Sequence, residues 1–147
     1  MTLSPPDVKA SPCQSTDACE ATVGVPVWLW IGDGDGTMPT HSASATAGRY
    51  TIKATAKVSK VTWTLGDGQS TTCTGGGTKY DPDIHGWTTP TCGFANGWST
   101  AGTYTLTATY HWDISWTGDQ TGSATQTISA TRQVTATELQ SVGVTTK

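Results

Sequence analysis

Gly32-Asp33-Gly34-Asp35-Gly36 sets two carboxylates one residue apart in a turn-forming run. Ca²⁺ takes six to eight oxygen ligands, and alternate acidic residues in a loop are one way to begin such a set. No further acidic ligand follows in register. Asp33 and Asp35 therefore read first as a polar turn, with Ca²⁺ the one cofactor they suggest. Asp81 and Asp83, either side of Pro82, pose the same choice. Cys73, His85, Cys92 and His111 are residue types that bind zinc, but no short Cys-x-x-Cys spacing is present. Trp87 and Trp98 fall in a long polar segment outside any strand alternation. Flat aromatics in such a place stack on sugar rings or anchor protein contacts; the alternative is that they close one open end of the fold. The three His residues accompany no nucleophile elbow, phosphate-binding loop or His-Glu-x-x-His helix. His111 and Asp113 share one face of a strand, which on an open sheet is a solvated contact. A glycosidase needs two carboxylates about 5–10 Å apart across a cleft, and no Asp pair stands out. The chain reads as a binding or structural module rather than an enzyme.

The elements that must position these residues are strands. Only 13% of the 147 residues are charged, against about 25% in an ordinary globular domain. Thr, Ser and Gly fill the difference, and Thr suits a pleated, half-exposed surface. The net charge is −3 and no basic run exists, which excludes a phosphate-neutralising stripe and with it nucleic-acid binding. The longest apolar run, Val25 to Ile31, is far shorter than the about 20 residues of a membrane span, so no membrane insertion is expected of this segment. Met1 leads into Thr-Leu-Ser-Pro-Pro-Asp, with neither the basic start nor the apolar stretch of a signal peptide. The four cysteines each bracket a polar loop as Cys13–Cys19 and Cys73–Cys92. An even count in a charge-poor chain suggests disulfides and an oxidising compartment.

Along the chain, residues 1–24 read as a tail holding the small Cys13–Cys19 loop, with too little apolar content to bury. Val25 to Ile31 reads as a strand apolar on both faces, Val27, Leu29 and Ile31 opposing Trp28 and Trp30. Residues 49–57 alternate with Tyr50, Ile52, Ala54 and Ala56 inward; after Val58-Ser59-Lys60 the parity flips and Val61, Trp63 and Leu65 turn inward. A hairpin-like connection is the expected cause. Residues 69–101 form a long insertion stapled by Cys73–Cys92. Tyr104 to Trp116 is the clearest strand; thirteen residues extend roughly 40 Å, longer than a small sandwich, so its end should project as a hairpin with residues 123–137 or bend at a bulge. The domain is expected over residues 25–140, with a short tail at 141–147.

Val61-Thr-Trp-Thr-Leu-Gly-Asp-Gly68 followed by Ala101-Gly-Thr-Tyr-Thr-Leu106 resembles the polycystic-kidney-disease (PKD) type of immunoglobulin-like domain. Leu65 stands where that pattern has Phe, and the His-x-Tyr element before the Tyr strand is missing. With Val25-Pro-Val-Trp-Leu-Trp30 ahead of it and Cys73 and Cys92 between the two segments, residues 24–137 are similar to secreted or envelope-associated actinobacterial proteins of unknown function. The resemblance implies an all-β, immunoglobulin-like (PKD-like) β-sandwich with a disulfide-stapled long loop and an extended β-hairpin. It implies an extracellular or cell-envelope setting and a structural, adhesive or protein-interaction role. The alternatives are a carbohydrate- or cell-wall-binding module using Trp87 and Trp98, and a phage virion surface domain, which would need no signal peptide. The expected partners are accordingly a protein or a cell-wall glycan.

Overall fold

A computed structural model describes residues 3–6, 8–11, 19–81, 83–86 and 88–138. Among them the chain forms nine strands and no helix: β1 (Lys9–Ser11), β2 (Cys19–Thr22), β3 (Val27–Trp30), β4 (Thr40–Ala47), β5 (Tyr50–Thr64), β6 (Ser70–Cys73), β7 (Gly93–Phe94), β8 (Gly102–Gly118) and β9 (Gly122–Thr137). A small sheet runs β1-β3-β7. A large sheet runs β2-β9-β8-β5-β4, with β6 continuing the β4 side of β5. All pairings are antiparallel except β2 on β9.

The two sheets enclose one core. Val27 and Leu29 of β3 and Phe94 of β7 meet Val61 and Trp63 of β5, Leu106 and Tyr110 of β8, and Val134 of β9, all buried. The two sheets differ greatly in length. β8 has 17 residues, about 55 Å at the rise of a strand, whereas the four residues of β3 span about 13 Å. The small sheet therefore covers only part of the large one. Beyond Trp112 the large sheet continues, among the described residues, as a single layer built from β4 and the ends of β5, β8 and β9. The projection expected of the Tyr104–Trp116 strand is present, with four strands rather than two.

Two sequence expectations change. The parity flip after Val58 is not a turn: β5 is continuous, and a bulge at Ser59 shifts the register between Val58↔Trp112 and Lys60↔His111. One extra residue exchanges the faces of a strand as surely as a hairpin does, so alternation alone could not separate them. Ser59 Oγ donates to the His111 carbonyl at 3.2 Å, on the partner strand beside the bulge. Secondly, the described residues of the first 24 include two paired strands rather than a loose tail. Ala10 of β1 lies opposite Leu29, and Cys19 and Ala21 of β2 lie opposite Val134 and Ala136. All three are buried. Small side chains fill these edges, so a low count of large apolar residues misjudged their capacity to pack. Both apolar faces of β3 are buried, and the outer one is covered by the stapled loop. Tyr80 and His85 lie 5.6 and 4.3 Å from the Trp28 ring, and Trp30 bridges to Gly77.

Candidate functional site

Cys73 and Cys92 are joined, with a Cα–Cα distance of 5.9 Å. This removes the two thiolates that the zinc alternative required. Cys19 is disulfide-bonded as well; Cys13 lies outside the described residues. His85 Nδ1 accepts from the Asp81 N–H at 2.9 Å, and the Asp81 carboxylate accepts from the Asp83 N–H at 2.9 Å. These groups organise the loop over Trp28.

The aspartates of the glycine-rich turn make local contacts. Asp35 Oδ1 accepts from the Thr37 N–H at 2.9 Å. Hydrogen bonds from Thr37, its side chain first and then its backbone, hold the Asp35 carboxyl below its ordinary value of 3.8. Asp33 lines a hollow of about 190 Å³ with Lys9 and Lys79, and Lys9 Nζ donates to the Gly32 carbonyl at 2.8 Å. The two lysines lining the same hollow as Asp33 oppose a further cation there. Among the described residues, no three His, Cys, Asp or Glu gather in a metal-holding group. Asp67 accepts from the Gln69 N–H at 3.0 Å and so caps its own turn.

Trp98 is a core residue, 0% exposed. Its Nε1–H donates to the Leu65 carbonyl at 3.1 Å, and its ring stacks on Tyr104 at 5.9 Å. It has no open face for a sugar, which corrects the reading of Trp98 as a ligand-binding aromatic. Trp87 lies outside the described residues. His111 Nε2 is 2.8 Å from Thr62 Oγ1 and lines a shallow hollow of about 440 Å³ with Lys60 and Asp113 at the bulge.

The open apolar surface lies on the projecting layer. The face that is core at Trp112 continues outward through Ile114 and Trp116. Ala54 sits between Ala43 and Trp116, and Trp116 is opposite Gly122. A Cβ on Gly122 would stand 2.5 Å from the Trp116 ring, so the indole lies against the Gly122 backbone, where only glycine leaves it room. Ile52, Ile114 and Trp116 are half-buried, and Tyr50, 56% exposed, closes the row beneath Arg49 at 5.8 Å. Its flanks are Ala43, Ala45, Ala54 and Ala124, and no Lys, Asp or Glu shares this face. The reverse face is hydroxyls and lysines: Ser42, Ser44, Lys53, Thr55 and Thr117 line a groove of about 570 Å³. The sequence pattern points Ile52 and Ala54 inward and has the end of the Tyr104–Trp116 strand project; the structure brings these residues together on one face of that projection. β4 gives no strand signal in the sequence, because Thr-His-Ser-Ala-Ser-Ala-Thr-Ala alternates hydroxyl residues with alanine and carries no large apolar side chain.

No protein-family model matches the chain, and neither the curated proteins nor the solved structures give a significant match.

Proposed function

We propose that this chain is a non-catalytic module of the extracellular space or cell envelope, acting by contact through its projecting single-layer sheet. The observation that carries the reading is the apolar row Tyr50, Ile52, Ile114 and Trp116 on a layer that the small sheet does not reach. An apolar patch rimmed by polar residues marks an interaction surface, and Trp and Tyr are the residue types that dominate contact energetics. The disulfide between Cys73 and Cys92 suits an oxidising setting.

The immunoglobulin-like, PKD-type class is our reading of the fold. Its support is the strand order. β1-β3-β7 has the order of the A-B-E strands of such a sandwich, and β9-β8-β5 the order of G-F-C, with β6 in the C′ position. Trp63 is the buried Trp of the C-like strand. Tyr104, near the start of the F-like strand, donates its hydroxyl to the Thr100 carbonyl at 2.8 Å, as in a tyrosine corner. β4, and the disulfide's position outside the B and F strands, are departures from that pattern.

A carbohydrate- or wall-binding role keeps one specific support, the half-buried Trp116 ring set against the Gly122 backbone. Both readings are tested by immobilising the wild type and a Trp116→Ala/Tyr50→Ala variant. Saturable binding is then measured to purified envelope proteins, peptidoglycan and a polysaccharide panel, with and without EDTA. Binding reduced at least tenfold in the variant is the expected result, and the class of ligand retained decides between protein and glycan. Equal binding by both chains would contradict the reading. Loss on EDTA treatment would restore Asp33 and Asp35 as a Ca²⁺ site.

A further inference from the structure

We propose that β4 pairs edge to edge with β4 of a second copy of this chain, antiparallel and centred on Ala43. This deepens the contact-module reading by naming one partner, and it stands on a different feature, the backbone of the sheet edge.

β4 is the outermost strand of its sheet over all eight residues. Among the described residues β1, β2, β6 and β7, at the other edges, are two to four residues long; β9 pairs with β2 only over its last four residues, so residues 122–133 form the opposite open edge of the large sheet. Protein sheets normally blunt a long edge with charge, proline or a bulge. Thr40–Ala47 has none of these: it contains no Lys, Arg, Asp, Glu or Pro, and its register with β5 is unbroken.

The hydrogen-bonding parity of the edge can be read from two independent places. The Val58 N–H donates to the Pro39 carbonyl at 3.0 Å, so odd-numbered residues of this strand turn their backbone groups toward β5. The β4–β5 connection is a two-residue turn, Gly48-Arg49, with Gly48 at φ 62° and no non-glycine residue at positive φ. Glycine at the first central position is the requirement of a type II′ hairpin, which a hydrogen-bonded Ala47↔Tyr50 pair closes. Both assign the outward N–H and C=O groups to Thr40, Ser42, Ser44 and Thr46.

A two-fold axis normal to the sheet at Ala43 pairs Thr40 with Thr46 and Ser42 with Ser44, each way round. Every outward group then finds a partner, giving about eight backbone hydrogen bonds. A centre one residue later, at Ser44, uses only three of the four residues. The same axis keeps like faces together, so His41 meets Ala45 and Ala43 meets Ala43 on the apolar side. Hydroxyls meet hydroxyls on the other, and no charged pair is opposed. The nearest ammonium groups, Lys53 and Lys57, stand on β5. Two β4 strands separate each from its symmetry mate, about 14 Å at the usual strand spacing, which exceeds the screening length of about 8 Å. Pairing makes the projecting layers one continuous sheet and doubles the open apolar face. A strand edge alone buries less than the about 1,200 Å² of a standard interface, so the association is weak and rises with concentration.

The test is site-specific crosslinking of the full chain under mild oxidation. At the axis, Ala43 and its mate form a non-hydrogen-bonded pair with Cα atoms about 4.5 Å apart, within disulfide reach. Ala45 and its mate are about 14 Å apart, four residues along the ladder. Ala43→Cys should give a covalent dimer at least tenfold faster than Ala45→Cys. Adding Ser44→Pro, which removes an outward N–H and leaves the β4–β5 bonds intact, should abolish that dimer while the far-UV spectrum and melting temperature hold. Equal rates for the two cysteines, no dimer from Ala43→Cys at millimolar chain, or a dimer that survives Ser44→Pro would each overturn the pairing. Tyr50 and Trp116 stay in place throughout, so these results are read separately from the envelope-binding assay.

Discussion

Trp98 and Trp112 offer a controlled comparison of a partnered and an unpartnered buried indole. Both rings are at most 1% exposed. Trp98 Nε1–H donates to the Leu65 carbonyl at 3.1 Å, whereas Trp112 Nε1 has no partner. Replacing either by Phe removes the same atoms, so the lost transfer and cavity terms, about 1–2 kcal/mol, are shared. Trp98→Phe also loses a hydrogen bond, a net cost of about 1 kcal/mol. Trp112→Phe instead removes a buried donor whose desolvation was uncompensated, a relief of about 1 kcal/mol at the low end of its range. Trp98→Phe should therefore be the less stable variant by about 2 kcal/mol. With a urea slope of about 2 kcal/mol/M, the two midpoints should differ by roughly 1 M. Urea titrations followed by far-UV circular dichroism read this directly. Equal midpoints, or a lower one for Trp112→Phe, would refute the assignment of Trp98 as a hydrogen-bonded core residue.

Replacing Cys73 and Cys92 by Ser should cost about 3 kcal/mol, the chain-entropy value for a loop of roughly twenty residues, with faster proteolysis within residues 74–91; an unchanged melting temperature would contradict the staple's role. Gly122→Ala should lift the Trp116 indole, since the new Cβ would meet the ring at 2.5 Å; a shift of the Trp116 Nε1–H resonance checks this, and an unmoved resonance denies the contact. The Asp35 carboxyl should titrate below 3.8, because hydrogen bonds from Thr37 favour its charged form. A depressed folded-state value stabilises the fold above the unfolded value and is lost as pH falls through the folded one. Asp35→Asn should thus remove that part of the acid sensitivity below pH 3.8, and an NMR midpoint at or above 3.8 would contradict it.

The core half of the molecule was legible because its strands alternate large apolar residues with Thr: Tyr104 to Trp112 and Val61 to Leu65 are where alternation placed them. The Cys73–Cys92 bond was legible from two cysteines bracketing one polar loop. The remainder failed for separable reasons. The bulge at Ser59 leaves the same parity signature as a turn. β1, β2 and β4 are built mostly of Ala, Ser, Thr and Cys, whose small side chains give little amphipathic signal, yet each backbone pairs along its whole length with one neighbouring strand. The candidate site was half visible. Alternation puts Ile114 and Trp116 on the face that is core at Trp112, but that face is core only where a second layer exists, and the short β1-β3-β7 sheet ends before them. Of the two readings of Trp98 the ligand-stacking one fails, because its indole is buried and packs on Tyr104 from outside any strand, where loop position alone could not separate exposure from packing.

The central claim is that ligands meet this chain on the projecting layer. The most direct measurement is an NMR titration of isotope-labelled chain with solubilised peptidoglycan fragments, purified envelope proteins and unlabelled chain, following the indole and amide resonances. The account predicts shifts at the Trp116 Nε1–H and at amides of Tyr50, Ile52 and β4, with the Trp63 and Trp98 indoles unmoved. Shifts confined to the loops around Trp98, or none with any of the three, would contradict it.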